Sequence, residues 1–176
     1  MQRKLNQLSD LATDLNEQQM VANQEYVKKI NLAAGVENIV HVETDTSYNS
    51  RPQSGCEAAT QSFSPLIEQN TRRKLVLSLA TANKLCPKRK CAHDSMTCKK
   101  NYSTKDSIAS TEGKLLVRNL QKVESNNILK VYSVTSDAKT QIENAVREYA
   151  LSAKLSSTDV WYIDYVLFKS KSKMLN

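Results

Sequence analysis

From Leu5 to Ala33 the apolar positions fall at helical spacing: Leu5, Leu8, Ala12, Leu15, Ala22, Tyr26, Ile30 and Ala33, with Gln19 the one interruption. The pattern predicts a helix over residues 4 to about 34, closed by Gly35, which takes a positive φ cheaply. Asn, Gln, Lys and Glu fill the opposite face. The apolar stripe is expected to pack on the helix's own domain rather than to form a coiled coil. At Asn38–Thr44 (NIVHVET) the period shortens to two, as in a strand, with Val40 and Val42 on one face and Ile39 and His41 on the other. His41 reads as structural. The polar run Thr44–Gly55, with Pro52 and Gly55, is a candidate boundary.

Ser64-Pro65 reads as a helix start, with Ser at the N-cap, Pro at the first helical position and Glu68 near the positive end of the dipole. The predicted helix runs to about Leu85, because Pro87 disfavours helical geometry at Cys86. Leu75, Leu79, Ala82 and Cys86 would share its inner face. After the polar connection 98–113, Leu115, Leu116, Leu120 and Val123 predict a short helix and Ile128–Val134 a strand. Ser136 would cap a helix over 137–155, buried through Ile142, Ala145, Val146, Tyr149 and Ala153. Val160–Phe168 (VWYIDYVLF) is the most strongly patterned strand. Strand, helix and strand in succession imply a parallel pair. Two strands are too few for a stable sheet, so they must recruit 38–44 or a partner's strand. The fold class is α/β or α+β, a helical N-terminal half followed by a small strand–helix–strand unit. The segments divide as 1–55, 56–100 and 101–176.

Composition sharpens this picture at one place. Residues 71–100 hold Arg72, Arg73, Lys74, Lys84, Lys88, Arg89, Lys90, Lys99 and Lys100 against Asp94 alone, while the net charge of the whole chain is +7. The remainder is therefore close to neutral. Only three glycines punctuate the chain, and neither GxGxxG nor GxxxxGK[ST] occurs, which argues against a loop cradling phosphates. The N-terminus lacks an apolar signal-peptide core, and no apolar run is long enough to span a bilayer as a helix. A cytoplasmic chain, or one beginning inside a longer precursor, is the expectation.

Cys86, Cys91, His93 and Cys98 would supply three thiolates and an imidazole to Zn²⁺. The spacing fits a zinc knuckle only in its His-x4-Cys half, so free thiols or disulfides remain the favoured states and no cofactor is expected. If 65–85 is one long helix, a Cys56–Cys86 bridge needs an overstretched return, leaving local bridges within the 86–98 trio. The basic stretch, with Arg72, Arg73, Lys74, Lys88, Arg89 and Lys90 as its contact residues, suits either an acidic protein surface or the phosphates of a nucleic acid. Between Pro65 and Asn101 there is no aromatic residue for base stacking. With two histidines and no HExxH, GxSxG or paired-carboxylate signature, the chain reads as a non-enzyme.

One resemblance joins the N-terminal segments. Gln19–Tyr26 (QMVANQEY), followed by Ser50–Glu57 (SRPQSGCE), resembles proteins encoded in bacterial conjugation and type IV secretion gene clusters over about the first 75 residues. The resemblance implies an envelope-associated structural component, cysteines used as disulfides and no catalytic residues. The expected function is thus a non-enzymatic interaction component of such an apparatus, with protein partners and self-assembly open to it. The alternative is a basic nucleic-acid-binding module.

Overall fold

The computed structural model describes residues 2–49, 59–85, 100–102, 111–136, 142 and 144–149. Its elements are α1 (Gln2–Ala33), β1 (Ile39–Thr44), β2 (Ser47–Tyr48), β3 (Gln61–Glu68), β4 (Val76–Asn83), α2 (Thr111–Ser125) and β5 (Lys130–Thr135). Ile142 and residues 144–149 are helical. The class is α+β, with one mixed sheet ordered β2-β3-β1-β5 and β4 on the other edge of β3.

The predicted helix over 65–85 is not formed. In its place β3 and β4 make an antiparallel hairpin from Gln61↔Asn83 to Ile67↔Val76. Ser62, Ser64, Leu66 and Glu68 alternate inward along β3, and Ser78, Ala80 and Ala82 along β4. The helical spacing of Leu75, Leu79 and Ala82 is a coincidence, since Leu79 lies on the outer face of the strand. The stretched-return argument against a Cys56–Cys86 bridge falls with that helix.

Pro65 sits inside β3 for an identifiable reason. Its carbonyl accepts the Thr44 hydroxyl at 2.9 Å, so that edge of Pro65 faces the β1–β2 side, where its missing N–H also points. β1 and β2 hold one common register along β3, and the ladder lapses at Asp45–Thr46, opposite Pro65. The break between β1 and β2 thus follows from one proline.

β1 pairs in parallel with β5, from Ile39↔Lys130 to Glu43↔Thr135, with a bulge at Val40/His41. Segment 38–44 is therefore recruited by 130–135. The strand expected at Val160–Phe168 lies outside the described residues. α2 packs on β3, β4 and β5, and Val40, Val42, Leu66, Leu77, Leu116, Val123, Val134, Ile142 and Val146 form one core. The opposite sheet face carries Phe63, Leu79 and Tyr132, all partly in solvent.

α1 corrects the sequence reading in a different way. Its inner face is Met20, Gln24, Val27 and Asn31, not the predicted stripe. Asn23 and Gln24 donate their side-chain amides to the carbonyls of Val76 (2.8 Å) and Leu77 (2.9 Å), satisfying acceptors on the sheet's edge strand. Polar side chains at helical spacing are what seat this helix.

Candidate nucleic-acid interface

The turn from β3 to β4 is built around the buried Glu68. Its carboxylate accepts the Thr71 N–H at 2.7 Å, the Thr71 hydroxyl, and the Leu75 N–H at 3.1 Å. A buried carboxylate is tolerable only when such donors replace its lost water. Backbone bonds add to the pinning, from Glu68 N–H to Leu75 carbonyl at 3.0 Å and Gln69 N–H to His41 carbonyl at 2.8 Å. Asn70 accepts the His41 N–H at 2.8 Å and donates to the Ile39 carbonyl at 3.1 Å, fastening the turn to β1. The path closes with Lys74 at φ 53°, a left-handed conformation that is costly for a side-chain-bearing residue. These contacts make the turn a rigid platform.

Three consecutive cations leave that platform. Arg72, Arg73 and Lys74 are exposed, and none has a carboxylate partner among the described residues. The Arg73 guanidinium lies over the Tyr26 ring, 4.8 Å from its centroid, which holds one charge in place. Lys29 stands one turn beyond Tyr26 on α1 and is also exposed. Tyr26 is the aromatic the basic stretch itself lacks. No local signal foretells the pairing, because the two residues lie far apart in sequence.

Of the predicted binding residues, the structure thus places Arg72, Arg73 and Lys74 together on one turn. Lys88, Arg89 and Lys90 lie outside the described residues, as do Cys86, Cys91, His93 and Cys98. Among the described residues no three His, Cys, Asp or Glu side chains are grouped for a metal. His41 meets the Ser133 hydroxyl through Nδ1 at 2.7 Å and packs edge-on against Tyr132. Lys84 and Lys114 both approach the Tyr102 ring, at 5.9 and 5.7 Å. Nearby, Lys114, Arg118 and Gln121 line an open groove of about 490 Å³ with Glu148 and Tyr149. No helix among the described residues is long and apolar enough to cross a membrane.

Asp45 carries no weight in the sequence reading, where it is one polar residue in a loop. The structure puts it, exposed, at the lapse between β1 and β2, at the carboxyl end of the parallel β1–β5 pair. Only the strand pairing marks it out.

Comparison with known families matches residues 1–164 to the Mutator-like transposases. No curated protein and no solved structure matches the chain. The family match overturns the resemblance to conjugation and type IV secretion proteins, together with the envelope-apparatus function drawn from it. That resemblance rested on a short glutamine-rich stretch and a turn, whereas the match spans nearly the whole chain.

Proposed function

Starting from a chain that belongs to the Mutator-like transposase family, we propose that it binds DNA, gripping the phosphate backbone through the β3–β4 turn. One observation carries this reading: Arg72, Arg73 and Lys74 project from a turn fixed by Glu68 and Asn70, without a described acidic partner. Preorganised cations release condensed counterions from a duplex without first losing much conformational freedom. Such contacts set position on the duplex and carry no base specificity. Lys88, Arg89 and Lys90 extend the same basic stretch in sequence and are assigned to the same role.

The test is a fluorescence-anisotropy titration on duplex DNA across a salt series. The log–log slope changes by about 0.9 per phosphate contact removed, so Arg72→Glu with Lys74→Glu is expected to flatten it by about 2. An unchanged slope and affinity in that double variant removes the turn from the interface.

A second reading, that the chain also takes part in breaking and joining DNA, is favoured by Asp45. Ligands of open sheets gather at the carboxyl ends of parallel strands, where Asp45 stands. Asp137 lies two positions past Thr135 in sequence, as Asp45 lies two past Glu43, and Glu43 and Thr135 are ladder partners. Phosphoryl transfer on DNA commonly employs carboxylate-held divalent ions. Asp45 alone does not make such a site among the described residues. Asp45→Asn and Asp137→Asn are expected to abolish strand cleavage on a transposon-end substrate while sparing binding. Cleavage retained by both variants would remove these carboxylates from the reaction.

A further inference from the structure

We propose that the chain holds a second DNA segment in the groove between α2 and the helical residues 144–149, with Lys114 and Arg118 on its phosphates. This rests on the reading that the chain binds DNA, and adds a site separate from the β3–β4 turn. The place is anchored as the turn is. The Asn101 N–H donates to the Asn83 carbonyl at 3.0 Å, and its side-chain oxygen accepts the Asn83 N–H at 2.7 Å. Its side-chain amide donates to the Thr81 carbonyl at 2.9 Å. Asn101 is thereby fastened to the end of β4, and the adjoining Tyr102 is buried. The ammonium groups of Lys84 and Lys114 converge on the Tyr102 ring, at 5.9 and 5.7 Å from its centroid. Arg118 stands one turn beyond Lys114 on the same side of α2, exposed and with no carboxylate partner among the described residues. Gln121 continues that stripe, and the groove of about 490 Å³ opens beside it.

Two relationships separate this groove from the turn. β4 is 8 residues long and leads away from the turn. At about 3.3 Å per residue the Tyr102 cluster lies roughly 25 Å from it. The two surfaces also look in different directions. On α1, Glu17 pairs with Lys122 of α2, and Tyr26 receives Arg73. The nine residues between them, at about 100° each, amount to about 180° around the helix axis. α2 and Arg73 therefore lie against opposite sides of α1, and a straight duplex seated on the turn passes the groove by. Charge selects the ligand. Lys114 and Arg118 face one lining carboxylate, Glu148, while Glu112 and Glu124 are taken up by the hydroxyls of Tyr48 and Tyr149. Anchored cations in excess favour a polyanion through counterion release. The groove is open to solvent, so it admits a rod-like polyanion and does not enclose a small phosphate compound.

The experiment titrates the full chain with a duplex too short to hold two chains, at low salt and well above its dissociation constant. Sedimentation velocity reads the duplexes bound per chain, and far-ultraviolet circular dichroism verifies folding of each variant. The parent is expected to take two duplexes, and Lys114→Glu with Arg118→Glu one. Arg72→Glu with Lys74→Glu should also leave one, and all four changes together none. Glu148→Gln removes the opposing charge and should tighten the groove's binding step several-fold, which keeps the test open if the groove variant misfolds. A parent that saturates at one duplex overturns the proposal, and an acidic protein partner would then be left to the groove. A groove variant that still takes two, or a Glu148→Gln variant with both steps unchanged, overturns it as well. Loss of one duplex in the groove variant but not in the turn variant would sink the turn reading and leave this one standing. The opposite pattern would remove the groove and keep the turn, so the two readings fail separately.

Discussion

Glu68, fully buried at the end of β3, holds Thr71 by two bonds at once, accepting its backbone N–H at 2.7 Å and its side-chain hydroxyl. The same carboxylate reaches on to the Leu75 N–H at 3.1 Å, so one acidic side chain organises the turn that presents three cations. Glu68→Gln replaces one acceptor oxygen with an NH₂ group facing donors. Hydrogen bonds to charged groups contribute about 1.5–3 kcal/mol, and a loss of that size in urea unfolding is expected. DNA affinity should fall with it, because the cations lose their fixed base. A variant as stable as the parent and equally tight on DNA would separate Glu68 from both.

Asn119 makes a comparable bridge inside the core. It donates to the Ser64 carbonyl at 2.8 Å and accepts the Ser78 hydroxyl at 2.8 Å, joining α2 to both strands of the hairpin. Asn119→Leu keeps the branched outline of the side chain but strands a carbonyl and a hydroxyl away from water. Unsatisfied groups of this kind cost about 1–3 kcal/mol each. Denaturant midpoints should drop accordingly, and pairing the change with Ser78→Ala should recover part of the loss. A midpoint within experimental error of the parent would show that water reaches the site.

The elements legible in the sequence are those whose apolar period is unambiguous. β1 alternates cleanly around Val40 and Val42, and α2 carries Leu115, Leu116, Leu120 and Val123 at helical spacing. The hairpin is illegible because its inward positions are small or polar. Ser62, Ser64, Ser78, Ala80 and Ala82 give no period-two hydrophobic signal, while Ser64-Pro65 imitates a helix cap. On α1 the extent of the helix is readable but its seated face is not. Gln24 and Asn31 are buried for their hydrogen bonds, and the leucines that hydropathy would bury stand in solvent. Charge clustering locates the basic stretch, yet Tyr26 and Asp45 gain their places only through strand pairing and helix docking. Those are long-range contacts that no local window contains.

The stacking of Arg73 on Tyr26 separates a structural contribution from a binding one. Cation–π contacts at exposed sites contribute about 0.5–1 kcal/mol. A double-mutant cycle with Tyr26→Ala and Arg73→Ala should return a coupling energy in that range, read from thermal or urea unfolding. Arg73→Lys should keep the charge but lose the planar stacking, weakening DNA binding less than Arg73→Ala does. A coupling energy indistinguishable from zero, with additive losses in affinity, would mean that the ring does not orient the guanidinium.

Tyr149 gives the fold a pH dependence at the alkaline end. Burial pushes its hydroxyl well above the ordinary tyrosine range, reinforced by its hydrogen bond to Glu124 and by that carboxylate's charge. In the unfolded chain the hydroxyl ionises near pH 10, while in the folded protein it keeps its proton to higher pH. Folding is thus linked to proton retention. The contribution is complete below about pH 10 and declines as pH rises toward the folded value, because the unfolded state alone releases its proton. Tyr149→Phe removes this linkage along with the bond to Glu124. The variant should be less stable than the parent at about pH 8, and the gap should narrow as pH is raised from about 10 to about 11. Urea midpoints for the two proteins across that range decide the matter. A constant gap would show that Tyr149 ionises in the folded state as freely as in the unfolded one.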